Sequence, residues 1–174
     1  MKLKGTMSLV TLACISFAWS ALAQGAYTKA YVADRIRKVE DGVDEFRKWA
    51  EKRADEGRSR AESAQSSGRV SRRAQSNPPA AQARRDQAGN TADDLDDALG
   101  DLNRSTNRLR RKFDATDKWM ETKVQVERVV EDGRRINQVM VRGNYGTQAE
   151  RYWAALRNAI NDLARTYGVA PLGI

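Results

Sequence analysis

The fold is decided by residues 147–168, which read TQAERYWAALRNAINDLARTYG. The large apolar residues recur every three or four positions, as on one face of a helix. They are Trp153, Leu156, Ile160, Leu163 and Tyr167. Thr147 and Glu150 have the spacing of a capping box, in which the two side chains satisfy each other's backbone amides. Gly168 and Pro171 are typical of a helix end. The segment therefore predicts an amphipathic helix, the fourth in the chain.

A third helix is predicted just before it, over about 117–142, ending at Gly143. Its apolar positions are Val126, Val129 or Val130, Gly133, Ile136 and Met140. A second helix, capped by Asn90 or Thr91, is predicted to end near Ala115. Its apolar face comprises Leu95, Leu99, Leu102, Thr106, Leu109 and Phe113. The three helices together form the predicted unit 91–170.

The boundary between the second and third helices rests on a change of phase. Beyond Trp119 the apolar residues fall on a different face from those of the second helix, which favours a break. No Gly or Pro lies there, and Thr116 and Met120 would continue the earlier phase. One continuous helix is therefore the alternative.

The first helix is predicted over 24–54, and a different kind of segment follows it. The apolar face of this helix comprises Val32, Ile36, Val39, Val43, Phe46 and Ala50, with Trp49 beside it. Residues 55–90 contain one apolar residue larger than Ala, Val70, and cannot bury a core. The first helix could continue to Ala64 as a solvated extension, and Asn77-Pro78-Pro79 is expected to stop any helix. We predict a flexible basic linker or an exposed hairpin connection over 55–90.

The predicted fold is therefore all-α: an antiparallel bundle of about four helices with a disordered basic linker. Four thin apolar faces leave little core, and a homodimer could cover what remains exposed.

Residues 1–23 have the three parts of a secretory signal peptide. Lys2 and Lys4 precede an apolar run from Met7 to Ala18, and the segment closes with Ala21-Leu22-Ala23. This order predicts cleavage before Gln24 and a periplasmic or extracellular protein. An uncleaved anchor would need about twenty apolar residues. Lipidation of Cys14 would need a Leu-small-small tripeptide, whereas Thr11-Leu12-Ala13 precedes it.

Composition excludes several kinds of chemistry. The chain has 31 basic and 23 acidic residues, a net charge of +8, and no histidine. Removal of Lys2 and Lys4 with residues 1–23 would leave 29 basic residues and a charge of +6, and would also remove Cys14, the single cysteine. Disulfides, Cys/His zinc sites, c-type haem and Ser-His-Asp triads are then impossible within the chain. We predict no cofactor and no enzymatic activity, since no acid pair has a catalytic setting.

Two sets of residues are candidates for binding. Arginines of the linker could bind an anionic polymer through charge alone. They are Arg58, Arg60, Arg69, Arg72, Arg73, Arg84 and Arg85. No aromatic residue is interleaved with them for base stacking, so sequence-specific nucleic-acid binding is not expected. A solvated linker is the structural alternative.

Four aromatic residues could line a ligand groove between the third and fourth helices. They are Trp119, Tyr152, Trp153 and Tyr167, which at helical spacing could equally belong to the core. The acidic run Asp93-Asp94-Leu95-Asp96-Asp97 lacks the glycine bend of a calcium loop. We interpret it as compensation of the dipole at the start of the second helix.

The C-terminal part of the chain resembles a group of secreted helical proteins of soil bacteria that have no established activity. The resemblance lies in residues 107–113, NRLRRKF, and in a set of packing residues of the last helix. That set comprises Trp153, Leu156, Arg157, Asn161, Leu163, Ala164 and Tyr167. The resemblance covers roughly the last eighty residues of the chain and implies a helical fold.

The function expected from these features is an exported binding or structural module of the cell envelope. The alternatives are a periplasmic chaperone-like or stress protein, which would bind protein clients, and a binder of anionic envelope components.

Overall fold

The computed structural model describes residues 27–66, 78–143 and 145–173. This part of the chain forms four α-helices and no strand. They are α1 (Lys29–Ser66), α2 (Pro78–Asp114), α3 (Lys123–Arg142) and α4 (Thr147–Thr166). A short 3-10 helix, Trp119–Thr122, precedes α3. The predicted signal peptide lies outside the described residues.

The helices form a ring in which successive members are antiparallel. α1 packs on α2 and α4, and α3 packs on the same two helices. At one end of the bundle the Lys29 ammonium donates to the Thr116 carbonyl over 2.6 Å. At the same end Thr122 and Tyr167 share a hydrogen bond of 2.8 Å. These contacts join the start of one helix to the end of the next, which is up-down-up-down topology. The predicted antiparallel four-helix bundle is confirmed.

The predicted apolar faces form one core. Every large residue predicted for the inner faces of the first, second and fourth helices is buried, as are Val126, Val129, Val130 and Ile136 of α3. Ala50, Trp49 and Met140 are partly buried against them. The core is therefore built as the periodicity indicated.

The chain breaks between α2 and α3, as the change of phase predicted. α2 ends at Asp114, and the 3-10 helix separates it from α3. The Thr122 hydroxyl donates to the Trp119 carbonyl over 2.7 Å, inside this turn. The alternative of one continuous helix is wrong.

Both long helices reach beyond the bounds of 24–54 and 91–115, and α1 does so as the alternative of a solvated continuation to Ala64 indicated. α1 continues to Ser66 and α2 begins at Pro78, so residues 55–66 and 78–90 of the predicted linker are helical. Residues 67–77 lie outside the described part of the chain. Pro78 and Pro79 begin α2 instead of stopping a helix, because the first turn does not need their missing amide hydrogens. Asn90 and Thr91 consequently lie inside α2, so neither is its N-cap residue.

Charge pairs explain the extra turns of α1. Arg47 pairs with Glu51 over 3.4 Å, and Arg58 pairs with Asp55 over 3.9 Å. Glu56 and Arg60 have a four-residue spacing with the acid nearer the N-terminus, which is the favourable order for such a pair. Such pairs stabilise a helix that has no apolar face.

The capping box predicted at α4 is wrong. Gly146 is the N-cap residue, with φ +83° and ψ 167°, and no side chain caps the helix. The Glu150 amide donates to the Gly146 carbonyl over 3.2 Å. Because the chain enters the helix through this extended glycine, Thr147 is already the first helical residue. Its side chain lies one position too late to cap.

The molecule thus has two regions. α3 and α4 are 20 residues long, whereas α1 has 38 and α2 has 37. Phe46 stacks on Tyr152, five residues into α4, so α1 passes the start of α4 near residue 51. We call residues 51–66 and 78–94 the extension, and residues 29–50 and 95–173 the body.

Candidate functional site

The arginines predicted to bind anions fall in and around the extension. Arg58 and Arg60 are exposed on α1. Arg84 and Arg85 lie in the first turns of α2. Arg69, Arg72 and Arg73 lie outside the described residues. The structure therefore places four of the seven on two helices that meet at the same end of the body.

The α1 side of the extension is fully solvated and carries both signs of charge. Every residue from 51 to 60 is exposed. One face of α1 in this region comprises Lys48, Glu51, Lys52, Asp55, Glu56, Ser59 and Arg60. Three basic and three acidic side chains are interspersed on it, so this face of α1 has no net charge by itself.

The junction between body and extension is marked by aromatic side chains. Phe46 and Trp49 of α1 meet Tyr152 of α4, with ring centroids 5.7 to 6.0 Å apart. The Arg53 guanidinium lies 5.5 Å from the Trp49 ring centroid, a cation–π distance. This cluster fixes α1 against α4 at the last turn before α1 leaves the body.

The four aromatic residues proposed for one groove occupy separate places. Trp119 packs edge-on against Tyr167, with centroids 5.0 Å apart, at the end of the body opposite the extension. Tyr152 belongs to the α1–α4 cluster. Trp153 is buried between α3 and α4, where its indole donates to the Asn137 side chain over 3.1 Å. Trp153 and Tyr167 are fourteen residues apart on α4, about 21 Å, so no common groove exists.

Tyr167 is a core residue with a polar contact. Its side chain is 1% exposed and its hydroxyl bonds that of Thr122. Burial raises the pKa of the Tyr167 phenol, and the hydrogen bond to Thr122 opposes this in part. Tyr167 is therefore a packing residue, in agreement with the alternative prediction that these aromatic residues belong to the core.

The acidic run is exposed in the middle of α2. Asp93, Asp94, Asp96 and Asp97 lie more than a dozen residues after Pro78, so they do not compensate the helix dipole and that interpretation is wrong. Among the described residues, no group of three or more acidic or other ligating side chains could hold a metal ion. These four carboxylates lie on the solvent-exposed side of α2.

Two ion pairs that join α1 to its neighbouring helices were not predicted. Arg110 of α2 forms a bidentate pair with Glu40 of α1, with N–O distances of 2.5 to 3.2 Å. This hydrogen bonding raises the pKa of the Arg110 guanidinium. Arg35 of α1 reaches Asp162 of α4 over 3.5 Å. Both fix α1 to a neighbour, and sequence spacing cannot identify such pairs because the partners are 70 and 127 residues apart.

A cleft lies between α3 and α4, the two helices of the predicted groove, and Trp153 is the one member of the four predicted aromatic residues that lines it. The cleft has a volume of roughly 610 Å³ and lies beside the turn that joins the two helices. Its lining comprises Asn137, Met140, Val141, Gly143, Glu150, Trp153, Ala154 and Arg157. The floor is apolar and the two charged side chains lie on α4. The sequence indicates the position of the two charged side chains of this cleft through the seven-residue spacing of Glu150 and Arg157, which places them on one helix face.

None of the described helices is both long and apolar enough to cross a lipid bilayer. Comparison with protein-family models, with curated proteins and with solved structures finds no significant match to this chain.

Proposed function

We propose that this protein is an exported binding or structural module of the cell envelope, and that it is not an enzyme. The body is a packed scaffold and the extension is the part that meets the partner. The observation that carries this proposal is the exposure of every residue from 51 to 60 in a continuous helix. Ordering a helix without burying apolar surface costs conformational entropy, which binding to a partner offsets.

The basic residues of the predicted linker and its flanks support an envelope partner. Residues 51–90 contain nine basic and five acidic residues, a net charge of +4, and Asp93 and Asp94 lower the net charge of residues 51–94 to +2. Envelope polymers and lipid headgroups are commonly anionic, and a positive region is attracted to them without sequence recognition. The basic side chains described on α1 are exposed to solvent, where salt screens their attraction to an anionic partner. We therefore expect binding to weaken as the salt concentration rises.

A chaperone-like role has less support. The large apolar side chains exposed among the described residues are Tyr27, Tyr31, Val124 and Val141. Val124 and Val141 lie at opposite ends of α3, about 25 Å apart. Separate residues of this kind do not form the contiguous apolar patch that unfolded clients would need.

The test is co-sedimentation of the purified protein with isolated bacterial envelopes. We expect the wild type to sediment, and the double variant Arg58→Glu/Arg60→Glu to lose most of its binding. A variant with the same charge change on the body, Arg37→Glu/Arg151→Glu, serves as the control and should bind like the wild type. Equal losses in the two variants, or no sedimentation of the wild type, would overturn the role of the extension.

Two further measurements separate the alternatives. Loss of binding at high salt supports anionic envelope components, whereas protection of a model client from aggregation at high salt would favour the chaperone-like role. The intact mass of the protein recovered outside the cytoplasm tests export: a chain that begins at Gln24 supports it, and one that retains Met1 contradicts the cleavage.

A further inference from the structure

The groove between α3 and α4 is filled along half of its length by the end of the described chain. Gly168, with φ +62°, reverses the chain after α4. The Val169 amide then donates to the Ala164 carbonyl over 2.9 Å, and the Leu172 amide donates to the Asn161 side chain over 2.7 Å. Leu172 is buried against α3. The close approach requires Gly133, where a Cβ would lie 3.1 Å from a Leu172 methyl carbon.

The other half of the same groove is open, and it is the cleft described above. Val141 on its rim is 80% exposed, the highest value among the large apolar residues of the described chain. Met140 and Ala154 continue the apolar lining. Nothing in the described part of the chain covers this surface.

The charges of the cleft have a specific arrangement. Glu150 and Arg157 are separated by two helical turns, about 10.5 Å, on one face of α4. Ala154 lies between them. Neither side chain makes a hydrogen bond or ion pair with any described residue, whereas eight of the fourteen arginines of the body have a carboxylate partner. One acid and one base are thus left free, four residues before and three residues after a small residue.

We propose that a second copy of this chain occupies the cleft, in a dimer with twofold symmetry in which the two α4 helices cross antiparallel with the axis between positions 153 and 154. The rotation places Glu150 of each copy opposite Arg157 of the other, so two identical ion pairs form. The small side chain of Ala154 allows close approach at the axis, and Val141 of both copies is covered. This is the isologous, self-complementary interface that homodimers use.

The arrangement favours a second copy over other occupants. A polyanion would meet Glu150 and a polycation would meet Arg157, so neither finds a cleft of one sign. Another copy presents both charges at the required spacing. The inference is independent of the ligand of the extension, which lies on other residues.

The experiment measures the dissociation constant of the dimer by analytical ultracentrifugation. Glu150→Arg gives copies with two cations, and Arg157→Glu gives copies with two anions. Either variant alone should dimerise at least about tenfold more weakly, because like charges face each other across the axis. An equimolar mixture of the two variants should associate again, since each cationic copy then faces an anionic one.

The recovery in the mixture separates a direct contact from misfolding, because two damaged proteins would not restore each other. Arg37→Glu carries the same charge change on α1, which packs on the opposite side of α4 from the cleft, and should dimerise like the wild type. A monomeric wild type at every concentration would overturn the proposal. Unchanged association of the single variants, or a mixture that stays monomeric, would overturn it too.

Discussion

The residues of α1 before Ala50 and those after it are both helical, but the first set packs against other helices and the second is exposed to solvent. Before Ala50, every third or fourth side chain is buried in the body. From 51 to 60 every side chain is exposed, yet the helix continues to Ser66. The first part is held by tertiary packing, and the second by intrinsic propensity and charge pairs.

This contrast shows that the packing of a helix and the formation of a helix are separate properties, although a prediction from apolar periodicity treats them as one. Apolar periodicity reports which helices are packed, whereas helix formation itself depends on residues that neither break the backbone nor compete for its hydrogen bonds. The two regions should therefore respond differently to the same kind of change.

The largest effect is expected from removal of core leucines in the body. Leu156→Ala or Leu163→Ala should lower the free energy of unfolding by about 2 to 5 kcal/mol, through lost burial and the cavity left behind. Urea unfolding followed by tryptophan fluorescence measures this. Arg151→Ala, on the exposed face of the same helix, is the control and should stay within about 0.5 kcal/mol of the wild type. Equal costs in the three variants would mean that α4 is not part of the core.

Proline substitutions at exposed helical positions test whether the regions unfold independently. Asp41→Pro in the body should cost about 3 kcal/mol or more, because proline removes a backbone hydrogen bond and clashes with the preceding turn. Ser59→Pro in the extension should reduce the helical circular dichroism signal and leave the urea midpoint of the body unchanged. If Ser59→Pro shifted that midpoint as much as Asp41→Pro, the two regions would be one cooperative unit.

The start of α4 offers a smaller contrast between two adjacent residues. Gly146→Ala should cost about 1 to 3 kcal/mol, because its backbone conformation is nearly restricted to glycine. A Cβ at this position would meet nothing within 4 Å, so the cost is one of backbone strain. Thr147→Ala should change the free energy of unfolding by less than about 0.5 kcal/mol. Thermal unfolding of the pair decides, and a larger loss from Thr147→Ala would restore the capping box.

Alkaline pH should weaken the body by a smaller amount. An unfolded tyrosine ionises near pH 10, and burial raises the folded pKa of Tyr167 above that value. The folded chain then retains a proton that the unfolded chain has lost. Stability from this group is complete below about pH 10 and falls as pH rises through the folded pKa.

Tyr167→Phe tests this dependence. It should cost about 1 kcal/mol at neutral pH by removing the bond to Thr122, and should reduce the alkaline loss of stability. Part of that loss remains because burial also raises the pKa of the Tyr145 phenol. Tyr27→Phe, at a 38% exposed position, is the control and should leave the pH profile as it is. An unaltered profile in Tyr167→Phe would contradict the assignment.

The sequence contained enough to predict the core and the bundle. The faces around Phe46, Leu102 and Ile160 were identifiable because each repeats over several turns, and the break after Asp114 because the phase changed there. The α1 half of the extension was predicted only as a possible solvated continuation to Ala64, and the α2 half was missed, because the prediction of helix bounds relied on apolar residues. The spacing of Glu56 with Arg60 was the available sign of a solvated helix.

The arrangement of the candidate sites depended on tertiary structure. Trp119 meets Tyr167 and Tyr152 meets Phe46 because of how α1 and α4 lie beside each other, which local spacing does not contain. The cleft at Glu150 and Arg157 exists because the end of the described chain fills the adjoining part of the groove. Neither relation is visible within one helix.

The pairing of α1 with α4 has a consequence for the order of folding. Arg35 and Asp162, which hold the two helices together, are 127 residues apart. α2 and α3 are close in sequence and can associate early, whereas α1 acquires its second neighbour only when α4 is present, a closure of high contact order. Until then Val32, Ile36 and Val43 have an uncovered side. A chain that stops before α4 should therefore be prone to aggregation, because its first helix has been made without the last one to cover it.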